Sequence, residues 1–248
     1  MSPSPPRAYN PLTFDSERSG TDVDGSAPSS IAIDGPVAAG KSAVGAALAA
    51  RLGYRFIDTG VMYRAVTWLA LERGVELHDD DALARLAREA HLGVEASAEA
   101  PKGARVVIDG HDVTGELRSP EVSDAVSLVS RVAGVREVMV ERQREMAREG
   151  GVVMAGRDIG TVVLPDAPLK VYLDATVEER VRRRREELLA GGRVESDEEV
   201  REELAMRDEI DSGRDVSPLR PAKDAIVIDT DHLSLDEVVA KILEASCS

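Results

Sequence analysis

Along the chain, apolar residues gather into short β-branched runs that alternate with longer stretches where they recur every three or four positions. Residues 30–34, 54–58, 152–155, 169–173 and 226–229 are such runs, of the kind buried in a parallel sheet. Residues 41–52, 60–73, 79–90 and most of 120–149 read as helices. Helix starts further on carry the Ser/Thr-x-x-Glu capping pattern, in Thr176/Glu179, Ser196/Glu199 and Ser234/Glu237. Strands alternating with helices predict an α/β layered domain with a mostly parallel sheet. Over residues 92–115, "LGVEASAEAPKGARVVIDGHDVTG", short β-like runs separated by Pro-Lys-Gly and Asp-Gly predict a small β insertion instead.

Composition narrows this. With 248 residues, 43% hydrophobic and 31% charged, the chain can bury a sizeable core. Residues 1–28 are rich in Pro, Ser, Asp and Gly and predict a disordered tail, leaving 29–248 as the folded domain. No signal-peptide core and no apolar run of membrane-spanning length are present, so a cytoplasmic protein without a membrane partner is expected. The single cysteine, Cys247, excludes an intramolecular disulfide and a Cys-based zinc site. A net charge of −15 argues against a nucleic-acid partner, so the local convergence of arginines matters more than their sum.

Gly35-Pro36-Val37-Ala38-Ala39-Gly40-Lys41-Ser42, followed by Ala43, lies between a predicted strand and a predicted helix. Its glycines let the backbone aim N–H groups at an anion. Lys41 then reaches the β/γ-phosphates, and the Ser42 hydroxyl suits Mg²⁺, directly or through water. The loop thus predicts nucleoside triphosphate binding and leaves open a small-molecule kinase, a GTPase-type switch or a motor ATPase. A guanine-reading Asn-Lys-x-Asp is absent, the chain is short for a motor, and its charge is wrong for tracking nucleic acid. A small kinase remains.

The acceptor is read from arginines. Asp58-Thr59-Gly60, with Tyr63 and Arg64, and Gly156-Arg157-Asp158-Ile159-Gly160 each follow a predicted strand, where ligands bind in open α/β sheets. "EERVRRRR", residues 178–185, suits an anion clamp, and Arg207, Asp211 and Arg214 share one helix face. Solvated helix faces, a turn salt bridge and an ordinary ion-pair series are the alternatives at these positions. An alcohol acceptor needs a carboxylate base. A monophosphate is mostly dianionic at pH 7 and needs none. Many arginines and no obvious base favour a nucleoside monophosphate kinase.

The segments "IAIDGPVAAGKS", "IDTGVMYRAV", "GRDIGTVVLPDAPLKVYLDATVEERVRRR" and "RDEIDSGRDVSPLRPAKDAIVIDT" together resemble the bacterial cytidylate kinase family, from Ile31 to the end. The resemblance implies a three-layer P-loop NTPase-like domain with a parallel central sheet. It also implies a small β-rich NMP-binding insertion over about 59–120 and an arginine-rich helical lid over about 176–212. The implied reaction is γ-phosphoryl transfer from ATP to CMP and dCMP by a monomer that uses Mg²⁺. Ser127, Arg136 and Asp158 would surround the cytosine, and Arg207 and Asp211 the ribose. Arg64, Arg157 and Arg214 would lie around the acceptor phosphate, and Thr59 and Gly60 would also belong to the CMP-binding set. Lys41, Arg157 and the lid arginines Arg180, Arg183 and Arg184 would stabilise the transferred charge. Ser127 and Arg136 rest on the resemblance alone, since the helix pattern reads them as a cap and a solvated residue. The family often carries Ser or Ala and a further Gly where this chain has Val37-Ala38-Ala39, and it varies between Ser and Thr at Thr59.

Overall fold

A computed structural model describes residues 28–96, 104–214 and 216–246. The tail expected over 1–28, but for its last residue, and Cys247 lie outside the described residues. In chain order the central elements are β1 (Ser30–Asp34), α1 (Lys41–Leu52), β2 (Arg55–Asp58), α2 (Gly60–Glu72) and α3 (Asp80–Glu89). A small antiparallel sheet follows, made of β3 (Leu92–Ala96), β4 (Ala104–Ile108) and β5 (His111–Asp112). Then come α4 (Pro120–Arg131), α5 (Ala133–Ala147), β6 (Val152–Ala155), β7 (Leu169–Asp174), α6 (Val177–Ala190), α7 (Asp197–Ser212), β8 (Ile226–Asp229) and α8 (Leu235–Ser246).

The main sheet is parallel in the order β2-β6-β1-β7-β8. Side chains alternate across a strand, and the packing follows that alternation. Ile31 and Ile33 of β1 join Val153, Val171 and Leu173 beneath Val44 and Leu48 of α1 and Val239 and Ile242 of α8. Ala32 points the other way, with Val152, Met154 and Ile159, toward Val140 and Ala147 of α5. Helices on both faces of one sheet make the three-layer α/β architecture. The sheet centre, β1, leads into the glycine-rich loop, and β6 beside it and β2 beyond β6 deliver the other polar loops to the same edge.

A second core joins α2, α3, α4 and α5 to the small sheet, with Met62, Val66, Leu83, Val106, Ile108 and Met139 buried together. The helical interval 120–149 resolves into two helices at Val132, which is extended at φ −66° and ψ 119°. α6 and α7 form a hairpin around Val181, Leu188, Val200 and Leu204, against which Val37 of the loop packs. All three capping patterns read from the sequence are made, reciprocally at Ser196/Glu199 and Ser234/Glu237.

After β1 the backbone turns sharply. Gly35 has φ 149°, and a Cβ there would stand 2.1 Å from the Leu173 carbonyl oxygen, so only glycine fits. Ala38 sits at φ 62° with a Cβ, in the left-handed region that suits glycine. That conformation costs an L-residue roughly 1–2 kcal/mol, whereas glycine's extra freedom when unfolded costs roughly 0.4–1 kcal/mol. Ala38→Gly is therefore expected to stabilise the fold by about 0.5–1 kcal/mol, a rise of roughly 1–4 °C in melting temperature. Differential scanning calorimetry decides it, and a lowered melting temperature would mean that the loop makes no such demand.

Candidate active site

At the carboxyl edge of β1, Gly40 (φ 90°) precedes α1, and Lys41 and Ser42 form that helix's first turn. Lys41 is buried and its Nζ donates to the Pro36 carbonyl at 2.6 Å, across the loop it closes. Burial, with Arg157 nearby, lowers its pKa well below the usual lysine value; Asp58, Asp211 and Asp34 oppose that shift. The Ser42 hydroxyl donates to Asp58 Oδ2 at 2.7 Å, and Asp58 Oδ1 accepts from the Gly60 N–H at 3.0 Å. This hard, oxygen-only pair fits a Mg²⁺ ion held through few protein ligands and its own waters. Among the described residues no cluster of three His, Cys, Asp or Glu side chains could hold a metal by itself.

The helix α6 faces this loop with part of its arginine run. Arg180 donates to the Val37 carbonyl at 3.4 Å and to Asp208 of α7 at 2.6 Å. Arg183 donates to Glu179 and to the Thr230 hydroxyl and carbonyl, and one of its Nη atoms lies 3.8 Å from where a Cβ on Gly40 would be. Arg184 is buried between Glu187 and Glu203. Arg182 and Arg185 are exposed and paired with acidic neighbours. The run therefore divides, with three arginines directed inward and two forming the solvated face.

Past β6 and β2 lies a second polar cluster. Arg136 is only 2% exposed and Asp158 4% exposed, and Arg136 Nη2 donates to Asp158 Oδ2 at 2.6 Å. The burial of Arg136 corrects the solvated reading of its helix position. It reaches the interior because α4 stops early: the Ser130 carbonyl, near the end of α4, accepts from Arg136 Nη1 at 3.1 Å. Its guanidinium stands 5.3 Å from the Tyr63 ring centroid, in cation–π range. Arg157 donates to Asp211 Oδ2 at 2.8 Å, and Arg214 donates to Asp211 Oδ1 and to the Ser130 hydroxyl. Although burial alone would raise it, Arg157 and Arg214 hold the Asp211 carboxyl below the usual range.

Arg64 donates to the Leu117 carbonyl and the Ser123 hydroxyl, and Arg207 to the Ser123 carbonyl at 2.7 Å. Burial, with Arg118, Arg207 and Arg184 crowding it, lowers the Arg64 pKa to about 10. Cations packed this closely are a ready receptor for an anion. Thr59 is buried with its hydroxyl donating to the Ala155 carbonyl at 2.9 Å. Ser127 is half-buried, and its carbonyl accepts from the Ser130 hydroxyl. Of the acceptor-side residues singled out from sequence, Thr59 and Ser127 make no side-chain hydrogen bond to the arginines and carboxylates of this cluster.

Sequence reading named Asp58 and Tyr63 but passed over Asp58 as a partner of Ser42 and Tyr63 as a wall for Arg136, and it missed Ser123 and Ser130. Asp58 had a legible signal, an acid at the end of a buried strand beside the loop. The serines had none, because helix serines are commonplace.

Comparison with known proteins agrees with this geometry. The family model described as cytidylate kinase matches residues 31–247. The cytidylate kinase of Geobacillus kaustophilus (strain HTA426) is 54% identical over 87% of this chain and 95% of its own length. That of Pelotomaculum thermopropionicum is 53% identical over 86% of this chain and 93% of its own. A bifunctional pantoate ligase/cytidylate kinase of Synechococcus sp. (strain JA-3-3Ab) is 53% identical over 86% of this chain, which spans 39% of that protein's length. With its strand–loop–helix motif and buried arginine–carboxylate cluster in place, the chain belongs to the cytidylate kinase family.

Proposed function

We propose that the chain transfers the γ-phosphoryl group of ATP to CMP and dCMP, giving CDP or dCDP and ADP. The observation that carries this reading is the buried Arg136–Asp158 pair, adjoining Arg157, which itself acts electrostatically on the phosphate-loop lysine. Cytosine presents an amine donor next to two acceptors, N3 and O2. A carboxylate and an arginine fixed to one another offer the complementary set, with Asp158 Oδ1 left for the base.

In this reading the loop from Gly35 to Ala43 wraps the donor phosphates with its N–H groups, and Lys41 bridges them. Ser42 would hold Mg²⁺, with Asp58 fixing the hydroxyl's orientation by accepting its hydrogen bond. When bound, the ion neutralises charge between the phosphates. Arg64, Arg157 and Arg214 hold the acceptor phosphate, which is already ionised and needs no base, while Arg207 and Asp211 meet the sugar. Thr59 and Gly60 cap the acceptor side, and Ser127 approaches the base from α4. The α6–α7 hairpin acts as a lid, bringing Arg180, Arg183 and Arg184 over the transferred group and excluding water. The sheet of β3–β5 with α2 and α3 is the NMP-binding insertion. One chain supplies every residue named here, so the reading needs no second subunit, and a monomer in the cytoplasm is part of the proposal.

The direct test is ADP release with ATP and a panel of CMP, dCMP, UMP, AMP and shikimate. CMP and dCMP should give the highest kcat/KM. ATP binding without turnover on any acceptor would contradict the proposal.

Lys41→Ala should lower kcat by about a hundredfold to a thousandfold, since its charge matters most as negative charge shifts between the phosphates. Circular dichroism should show the fold intact, because the replaced Nζ bonds only to the Pro36 carbonyl. Activity within about tenfold of the parent would remove Lys41 from the phosphate site.

For the base, Asp158→Asn is the cleaner variant. Alanine would leave Arg136 buried and unpaired, which costs about 3–5 kcal/mol of stability. The asparagine variant should lower kcat/KM for CMP by about a hundredfold, lower it far less for UMP, and leave ATP affinity unchanged. If ATP affinity falls while the CMP/UMP ratio stays, Asp158 belongs to the donor side.

A further inference from the structure

Asp34 is a buried carboxylate for which the reaction above has no use. It ends β1, is 3% exposed, and immediately precedes the phosphate loop. Both of its oxygens are engaged, and with the same distant segment. Oδ1 accepts from the Ile159 N–H and Oδ2 from the Gly160 N–H, each at 2.7 Å. Two residues before Asp158, the Gly156 N–H donates to the Ile33 carbonyl at 2.9 Å. Arg157 and Asp158 are therefore strung between fastenings that all lead to the last two residues of β1.

The chemistry of the fastening is particular. β6 ends at Ala155, so the N–H groups of Ile159 and Gly160 have no ladder partner and need acceptors from elsewhere. An ionised carboxylate is acceptor-only and serves two adjacent donors at once, which no neutral side chain does without turning a donor toward one of them. Residue 160 has little room to vary, because a Cβ there would lie 3.3 Å from Asp34 Oδ2 and 3.2 Å from the Lys170 side chain. Ile159 to Val163 then forms a single π-helical turn, whose N–H groups at 162 and 163 bond to the Asp158 carbonyl. Such turns are rare and gather at functional sites. Here the turn leaves Asp158 at the mouth of a loop fixed on both sides.

We infer that Asp34 is a positioning residue for the acceptor site: it fixes the backbone of Ile159 and Gly160 so that Arg157 and Asp158 meet the acceptor in register with the phosphate loop. It touches neither substrate and acts through the loop. The inference rests on Asp158 reading the base, as proposed above.

Asp34→Asn keeps the shape and one acceptor but sets an NH₂ group against the other N–H. It is compared with Asp158→Asn and with the double variant, using kcat/KM for CMP and UMP and calorimetric ATP affinity measured without acceptor. Asp34→Asn should lower the CMP/UMP ratio by about tenfold while ATP affinity stays within about twofold. Added to Asp158→Asn, it should lower the ratio no further, as for residues acting through one another. Gly160→Ala, which presses on the same carboxylate and leaves it in place, should shift the ratio in the same direction and stands in if Asp34→Asn does not fold. A CMP/UMP ratio unmoved by these variants, while Asp158→Asn lowers it, overturns the role of Asp34. An equal loss for CMP, UMP and ATP binding overturns it too. If Asp158→Asn itself leaves the ratio unchanged, the base assignment fails, and the positioning role with it.

Discussion

Arg136 and Asp158 lie inside the protein, 2.6 Å apart, and neither charge could stay there without the other. Taking two charges from water costs several kcal/mol per ion, which only close geometry and further hydrogen bonds repay. The surroundings supply both. The Ser130 carbonyl takes a second guanidinium N–H, and the Tyr63 ring covers one side. Tyr63 is itself buried deeply enough to push its phenol up to about 12, so it serves as a neutral wall. A buried ion pair is a poor way to gain stability and a good way to fix direction. Arg136 can donate to Asp158 only if α5 starts where it does, which requires the break at Val132. Asp158 stays at the edge of the sheet only because its loop is tied back to β1.

The same restraint extends outward. Asp211 joins Arg157 to Arg214, Ser130 joins Arg214 to the Arg136 neighbourhood, and Ser123 joins Arg64 to Arg207. Arginines crowded this way repel one another, and that repulsion adds to burial in lowering the pKa of Arg64. An anion with several oxygens would relieve that repulsion. A chain of net charge −15 thus still concentrates positive charge locally: its acids mostly face solvent, and its arginines converge at one edge of the sheet.

Much of this was legible in the sequence. Continuous apolar runs and the capping pairs marked the strands and helix starts, because local backbone chemistry governs both. Lys41, Ser42, Arg157, Asp158, Arg207, Asp211 and Arg214 stood beside glycines or at helical spacing, so their grouping could be argued from the chain. Arg136 could not, because its surroundings have a helical period that says nothing of a guanidinium reaching inward past a helix break. It entered through family resemblance alone. Ser123 and Ser130 were invisible for the related reason that helix serines are commonplace and that half of their work, one carbonyl each, is done by backbone. Asp34 read as the last residue of a strand, and its partners lie 125 and 126 positions away. Contacts of that range are set by sheet order, which periodicity does not encode.

The central claim is that Asp158, held by Arg136, recognises the amine of cytosine. The most direct measurement is kcat/KM for a CMP analogue that has hydrogen in place of the 4-amino group and keeps N3, O2, sugar and phosphate. Beside CMP, this analogue should lose about a hundredfold or more, because it leaves a buried carboxylate oxygen unpaired, and the gap should nearly close in Asp158→Asn. Turnover of the analogue within about threefold of CMP by the parent protein would contradict the account, for the amine would then be unread.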